Sequence, residues 1–262
     1  MKKTKSVLLT TPYILWMVAF TLIPLGVVAY YALTDPATGE FSLTNIRELG
    51  MYLPVLGSSI WYSLVSSAIC LLLGYPVAYY IAHRSPLAQK FLYMLVMLPM
   101  CMSFLLRTLA WMTLLEDKGL INQFLGLLGL GPVHMINTDG AVVLGMVYNF
   151  LPFMVLPLYS VMAKMDDRVI EAAQDLGAGF WNVFRRVVLP MSVPGIVTGI
   201  TMVFVPAVST FVITKLLGGG KKMLIGDVIE MMFAGSGRNY NVGAALSLVL
   251  MVLMLLCMAL MH

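Results

Sequence analysis

Six long apolar runs constrain this chain more than any other feature of its sequence. They cover about residues 13–33, 56–82, 91–115, 140–162, 193–217 and 242–262. A helix needs about 20 apolar residues to cross the hydrocarbon core of a bilayer, and each run reaches that length. The runs are continuous and do not alternate with polar residues, which excludes a membrane β-barrel. The sequence therefore predicts an all-α, polytopic membrane protein with six transmembrane helices.

The composition agrees with this prediction. Only 11% of the 262 residues are charged and 60% are hydrophobic, whereas soluble domains carry about 25% charged residues. The net charge of +4 does not indicate a nucleic-acid partner, because the basic residues lie mainly in short connections between apolar runs. Cys70, Cys101 and Cys257 each lie inside an apolar run without metal-ligand spacing, which favours a packing role.

The distribution of basic residues predicts the orientation. Nine lie at the N-terminus and in the second and fourth connections: Lys2, Lys3, Lys5, Arg84, Lys90, Lys164, Arg168, Arg185 and Arg186. Six lie in the other connections: Arg47, Lys118, Lys215, Lys221, Lys222 and Arg238. Cytoplasmic loops carry the excess of Lys and Arg, so we expect a cytoplasmic N-terminus. The run at 13–33 is too long for a signal peptide and is interpreted as a retained first span.

The fourth connection, at about 164–192, is rich in charge and half apolar, and includes EAAQDLGAGFWNVFRRVVLP. A helix from Asp166 to Leu176 would carry Val169, Ala172, Ala173 and Leu176 on one face. Gly177-Ala178-Gly179 would end it, a second helix would run from Phe180 to Val188, and Pro190 and Pro194 would close the segment. Such a pair either rests on lipid or docks on a soluble partner. The small residues of the first face favour docking, because a lipid-lying helix usually shows bulky apolar residues there.

Specific motifs connect this segment to a known family. Glu171-Ala172-Ala173, then Gly177, then Val187-x-Leu189-Pro190 resemble the EAA motif of ABC importer permeases, with Val187 where that family usually has Ile. Residues 74–82, 151–178 and 216–229 resemble the permeases of spermidine/putrescine importers. The resemblance implies a type I importer permease fold, with residues 1–262 forming a single transmembrane permease domain in the bacterial cytoplasmic membrane.

The resemblance also implies a non-catalytic subunit that forms half of a translocation pore. Its partners would be a second permease, two copies of a cytoplasmic ATPase and an external polyamine-binding protein. The chain lacks the G-x-x-x-x-G-K-[ST] loop, so ATP and Mg would bind to the ATPase and this chain would hold no cofactor. Six residues would contact the ATPase: Glu171, Ala172, Ala173, Asp175, Leu176 and Gly177.

A polyamine route needs acids or aromatic faces. The aromatic candidates are Trp111, Tyr148, Phe150, Phe153 and Tyr159. The acidic candidates in the external connections are Glu116, Asp117, Asp227 and Glu230. Packing or interfacial roles for the aromatic residues, and loop solvation by the acids, are the alternatives. Arg107 lies inside the third span, and we expect an acid of an external loop as its structural partner.

Other functions remain open at this point. The chain could be the permease of an importer for another small solute. A secondary transporter would predict an ionisable relay or inverted repeats, and neither is apparent. A membrane enzyme is not expected, because His83, His134 and His262 lie far apart and no metal or Ser/His/Asp set is recognisable. Gly195 and Gly199 form a G-x-x-x-G pair, which would allow close packing of helices. The connections at 117–139 and 218–239 each contain a short amphipathic helix, which would either lie in the membrane interface or dock an external partner.

Overall fold

The computed structural model describes residues 11–35, 38–220, 222–235 and 238–261. These residues are mainly helical, apart from one isolated β-bridge between Thr34 and Phe41. The helices are α1 (Thr11–Ala32), α2 (Leu53–Ala82), α3 (Pro86–Met97), α4 (Phe104–Leu115), α5 (Leu120–Leu127), α6 (Asp139–Met162), α7 (Asp167–Asp175), α8 (Phe180–Val208), α9 (Val212–Leu217), α10 (Ile225–Ala234) and α11 (Tyr240–Met261). The α2 helix follows without a break from the short helical turns Thr44–Glu48 and Leu49–Tyr52.

Five helices of the described chain are long and apolar enough to cross a membrane, or six if one bent pair counts as a span. The single helices are α1, α2, α6, α8 and α11, and they correspond to five of the predicted spans. Lys2, Lys3, Lys5, Lys221 and His262 lie outside the described residues. The predicted orientation of the N-terminus therefore stays a prediction.

The third predicted span, 91–115, is not one helix. It is divided between α3, which continues as a 3₁₀ turn over Leu98–Cys101, and α4, and the two arms meet at an angle of 86°. Pro99 lies in the 3₁₀ turn and has no N–H to donate. Met102, which follows the turn, is extended with φ −89° and ψ 150°. Counting apolar residues cannot detect this change of direction, because both arms are equally apolar.

The fifth predicted span was also wrong in its bounds. Instead of a short helix over Phe180–Val188 followed by a span at 193–217, α8 runs without interruption from Phe180 to Val208. Pro190 and Pro194 do not end it. A π-helical turn over Phe184–Val188 precedes Pro190, so the helix changes its hydrogen-bond register just before a residue that cannot donate. At the other end, the chain leaves the helix at Ser209, and α9 is a separate helix.

The larger of two compact units comprises Val55–Asp227 and Met258–His262. Its core is built around α6, in which 61% of the most apolar window is buried. Met146, Met154 and Leu158 of that helix are fully buried. The buried Cys70 on α2 approaches the carbonyl oxygen of Val147 on α6, with 3.7 Å between Sγ and O. This unit contains the segment whose sequence resembles the EAA motif.

The smaller unit comprises Met1–Pro54 and Val228–Cys257. Two buried asparagines satisfy backbone carbonyls in the last turn of α1 and just beyond it. Asn45 Nδ2 donates to the oxygens of Ala32 and Thr34, and Asn241 Nδ2 donates to those of Tyr31 and Thr34. Such caps replace the hydrogen bonds that a helix end leaves open. The prediction of a single permease domain over 1–262 stays a prediction.

Candidate functional site

The charged loop between α6 and α8 contains α7, as its sequence predicts. Asp166 is extended, with φ −82° and ψ 118°, and its carboxylate Oδ1 accepts the N–H of Arg168 at 3.0 Å. An N-cap carboxylate satisfies a donor that the first turn leaves open and opposes the positive end of the helix dipole. The predicted helix from Asp166 to Leu176 is confirmed, with these two residues as its caps.

Gly177 ends α7 in a Schellman motif. Its φ is +80°, its N–H donates to the oxygen of Gln174 at 2.8 Å, and the next N–H, of Ala178, donates to the oxygen of Ala173 at 3.1 Å. This pair of bonds closes the helix only if the residue after the C-cap is left-handed. A Cβ built on Gly177 would meet no atom of the described chain within 4 Å. The requirement for glycine here is therefore conformational and not steric.

The apolar side chains that flank this elbow are exposed. Leu176 is 89% exposed, Phe180 75%, Trp181 67% and Val169 44%. We call these four residues the loop surface. A groove of about 350 Å³ lies beside them, and its lining residues are Ala173, Leu176, Gly177, Ala178, Asn182, Val183, Arg186 and Val187.

The six predicted contact residues are brought together on and around α7. Glu171, Ala172, Asp175, Leu176 and Gly177 are exposed, and Ala173 is half-buried. They thus lie where a partner can reach them, although their role in contacting one stays a prediction.

The second half of the segment is anchored to the transmembrane helices. Val183 and Val188 are buried, and the ring of Phe184 packs edge-on against Tyr75 of α2 with 5.7 Å between ring centroids. Ser192 Oγ donates to the oxygen of Leu189 at 2.8 Å, so Tyr75 supplies the proton of the 2.9 Å bond between its hydroxyl and Ser192. Tyr75 and Ser192 are 117 residues apart, and their pairing has no signal in the sequence.

The small residues at the start of the fifth span allow α8 to approach α6 closely. A Cβ on Gly195 would lie 3.1 Å from the oxygen of Pro157 and 3.2 Å from Cα of Leu158, and one on Gly199 would lie 2.6 Å from Sδ of Met154. The packing role of the G-x-x-x-G pair is thereby confirmed. The loop is therefore joined to the core of the larger unit through a tightly packed helix.

The five aromatic candidates for the substrate route fall into separate contacts. Trp111 meets Tyr148 edge-on at 5.3 Å between centroids. Phe150 and Phe153 are neighbours on α6 at 6.5 Å. Tyr159 contacts the ring of Tyr93 at 5.4 Å, and its hydroxyl donates to Gln89 Oε1 at 3.3 Å. Each candidate thus has a packing partner within the chain, and a role in a route stays a prediction.

The acidic candidates have different environments. Glu116 and Asp117 are exposed after α4, and Asp117 Oδ1 lies 2.8 Å from Nδ1 of His134. Asp227 is buried. Its carboxylate accepts hydrogen bonds from the hydroxyl of Thr214 and the N–H of Leu224, each at 2.8 Å, and so connects two segments of the larger unit. Glu230 is half-buried on α10. Asp117 and Asp227 are thus already engaged by groups of the chain itself.

Among the residues that the structure describes, no acid pairs with Arg107, contrary to the expectation from the sequence. The side chain is only 8% exposed, and Nε and Nη1 are buried without a hydrogen-bond partner in the described part of the chain. Burying an ionised group without a partner is costly. The larger unit therefore buries two guanidinium nitrogens of Arg107 without hydrogen bonds from the described residues to offset the cost.

We expect Arg107→Met to raise the melting temperature of the purified assembled protein. Methionine keeps the length of the side chain and removes the desolvation cost, so the gain should be about 1–2 kcal/mol, or roughly 2–8 °C. Differential scanning fluorimetry in detergent measures it. Arg47→Met, at an exposed arginine, is the matched control and should leave the melting temperature unchanged. A fall for Arg107→Met would mean that the guanidinium is paired in the assembled protein.

Comparison with known proteins gives consistent results. The model of the family described as "binding-protein-dependent transport system inner membrane component" matches residues 71–262. The spermidine/putrescine transport system permease protein PotB of Haemophilus influenzae is 40% identical over 250 residues, covering 92% of this chain and 87% of that protein. PotB of Escherichia coli is 37% identical, covering 91% and 90%. The Escherichia coli inner membrane ABC transporter permease protein YdcU is 30% identical, covering 91% and 81%.

Solved structures share the fold. A chain of a bacterial ABC transporter involved in the import of the acidic polysaccharide alginate superposes with a TM-score of 0.76, covering 99% of this chain and 94% of that chain at 20% identity. A second structure, the alginate transporter in complex with an alginate pentasaccharide-bound periplasmic protein, gives 0.78 with coverage of 99% and 93% at 18% identity. At this identity the likeness concerns the fold alone.

Proposed function

The chain belongs to the family of inner membrane components of binding-protein-dependent transport systems, and we propose that it forms half of the pore of an ATP-driven importer of spermidine and putrescine. The chain itself does no covalent chemistry. ATP and Mg bind to a partner ATPase, and a second permease completes the pore. The chain crosses the bacterial inner membrane several times with its N-terminus in the cytoplasm.

The exposed loop surface is the observation that supports an ATPase partner. Leu176, Phe180 and Trp181 are left largely open to water beside a glycine elbow whose geometry is fixed by two hydrogen bonds. Apolar area removed from water contributes about 25 cal/mol per Å², so a protein that covers this surface gains affinity from it. We propose that the ATPase covers it and contacts Glu171, Ala172, Ala173, Asp175, Leu176 and Gly177.

The anchoring of the loop supports transmission of movement to the spans. The start of α8 is held to α2 by the Tyr75–Phe184 ring contact and the Tyr75–Ser192 hydrogen bond. The same helix packs on α6 through Gly195 and Gly199. When the ATPase closes on ATP and pulls the loop, these helices would move with it as a rigid body.

The substrate assignment rests on the relatives. The names of the PotB proteins state spermidine and putrescine transport, and their similarity extends over nine tenths of the chain. The alginate transporter was crystallised with its periplasmic protein, which supports an external binding protein as a further partner. We therefore propose two ATPase copies, a second permease and a polyamine-binding protein as the complete assembly.

Reconstitution of that assembly in liposomes tests the proposal. We expect binding protein loaded with spermidine or putrescine to stimulate ATP hydrolysis and to drive uptake of the labelled polyamine. A matched reaction with unloaded binding protein measures the basal rate. Uptake without any requirement for ATP would indicate a secondary transporter and overturn the assignment. ATP-driven uptake of another solute, with no response to polyamines, would overturn the substrate alone.

A further inference from the structure

Three side chains from distant parts of the larger unit meet around one ammonium group. Lys222, in the connection between α9 and α10, places Nζ 2.8 Å from Oδ2 of Asp139, the first residue of α6. The same Nζ lies 3.2 Å from the hydroxyl of Tyr62 on α2 and 5.9 Å from the centroid of its ring, so it stands beyond the hydroxyl and not over the ring face. We call Tyr62 and Asp139 the ammonium cradle. It consists of one carboxylate and one phenolic hydroxyl.

The connection that carries Lys222 is fixed at both ends. At its start, the oxygen of Leu217 accepts the N–H of Asn137 at 2.9 Å. At its end, the N–H of Leu224 donates to Asp227 and the N–H of Ile225 donates to Ser59 Oγ at 2.7 Å. Between these anchors, Gly219 and Gly220 have φ values of +60° and +70°. The chain therefore turns sharply within a fixed frame, and this turn brings Lys222 to the cradle.

The contact between Lys222 and Asp139 is open to water. The side chain of Lys222 is 54% exposed and that of Asp139 is 55% exposed. Exposed ion pairs contribute little to stability because both charges are well solvated when apart. The hydrogen bonds that Lys222 donates to Asp139 and Tyr62 raise the pKa of its ammonium, which is therefore charged at neutral pH. A second ammonium in solution could thus exchange with it at small cost.

A carboxylate combined with a phenolic oxygen offers acceptors for the N–H groups of an alkylammonium ion, and the carboxylate adds charge. Lys222 itself presents a primary ammonium on an alkyl chain, and a primary alkylammonium is the group found at each end of a linear polyamine. The lysine thus stands in the cradle as such a ligand would. The glycines in its connection provide a backbone that can adopt other conformations once the ammonium is released.

We propose that Tyr62 and Asp139 form a binding subsite for one terminal ammonium of the transported polyamine, and that Lys222 is an internal competitor that occupies it when no substrate is present. This inference rests on the polyamine function proposed above. It assigns a cation site to residues that composition and motif reasoning did not single out, because Tyr62, Asp139 and Lys222 are far apart in the sequence.

The test relies on the opposite effects that replacing Asp139 and replacing Lys222 should have on the affinity for spermidine. Equilibrium dialysis of labelled spermidine is carried out with the assembled permease and ATPase complex in nanodiscs, without the binding protein. We expect Asp139→Asn to weaken binding about fivefold to tenfold, because the carboxylate charge is lost. Lys222→Met should strengthen binding by a similar factor, because the competitor is removed. Tyr62→Phe removes only the hydroxyl acceptor and should weaken binding slightly.

Lys118→Met removes an exposed lysine from another external connection and should leave binding unchanged. If the pair is only a structural latch, Asp139→Asn and Lys222→Met break the same contact and shift binding in the same direction. That result, or no effect of either variant, or no binding by wild type and Lys222→Met alike, would overturn the inference. Failure of the proposed function is separate, because it is measured as ATP-driven uptake by the wild-type assembly with its binding protein.

Discussion

Replacing Gly177 with valine should uncouple ATP hydrolysis from transport in the reconstituted assembly. The left-handed backbone at φ +80° is unfavourable for any residue with a Cβ, by about 1–2 kcal/mol, and is worse for a β-branched one. The Schellman bonds would then break, and the chain would leave α7 in another direction. The contact residues on α7 would no longer stand in fixed relation to α8. We expect the uptake per ATP hydrolysed to fall by about fivefold to thirtyfold, the factor to which 1–2 kcal/mol corresponds.

Two variants separate conformation from bulk in this prediction. Gly179 has an ordinary φ of −66°, and a Cβ there would meet no atom of the described chain within 4 Å. Gly179→Val therefore adds the same side chain to the same elbow without backbone strain and should retain coupling. Gly177→Asn, which tolerates the left-handed region, should retain most of it. Equal losses of coupling for Gly177→Val and Gly179→Val would show that added volume at the loop surface, and not the conformation of the turn, is decisive.

The accuracy of the sequence-based prediction at α7 has a local cause. The helix begins at an N-cap whose carboxylate bonds two residues ahead, and it ends at a glycine whose N–H bonds three residues back. Both signals are complete within a few neighbouring residues, so a single sequence contains them. The amphipathic spacing then predicts which side chains lie together, and the exposed Val169 and Leu176 agree with it.

The wrong bounds of the third and fifth spans have the opposite cause. Hydropathy measures how apolar a run is and not whether its axis is continuous. Pro99 lies at a break, whereas Pro190 and Pro194 lie inside one helix. What differs is the backbone around each proline. The turn that contains Pro99 is followed by the extended residue Met102, whereas a π-helical turn precedes Pro190 and Pro194. That distinction depends on the three-dimensional backbone and has no counterpart in residue type.

Contacts between residues that are distant in the sequence could not be predicted from the sequence either. Tyr75 with Ser192 and Asp139 with Lys222 each join residues that are many turns of helix apart. Aromatic and acidic residue types alone indicated a larger set of candidates, most of which the fold uses within itself. Asp227 is an example: it was considered for the cation route, and its carboxylate instead holds Thr214 and the backbone of Leu224.

The contact between α6 and α8 should be the most sensitive point of the larger unit to added volume. We expect Gly195→Leu to lower the melting temperature of the assembled protein by roughly 5 °C or more, and to reduce the yield of folded subunit. A Cβ at this position would already lie within 3.2 Å of the α6 backbone at Pro157 and Leu158. Backbone atoms cannot rotate away as a side chain can, so the helices must separate, and overpacking of this kind costs about 1–3 kcal/mol or more. Differential scanning fluorimetry and size-exclusion chromatography in detergent measure both effects.

Gly57→Leu provides the matched control for this variant. Gly57 also lies in a membrane-spanning helix, α2, but it is exposed, and a Cβ there would meet no atom of the described chain within 4 Å. The same side chain in the same type of helix should therefore be tolerated, and loss of a helical glycine should add about 0.5–1 kcal/mol of stability. An unchanged melting temperature for Gly195→Leu would mean that α6 and α8 are not in close contact in the assembled protein. The loop would then have no rigid connection to the core, and the proposed transmission of movement depends on that connection.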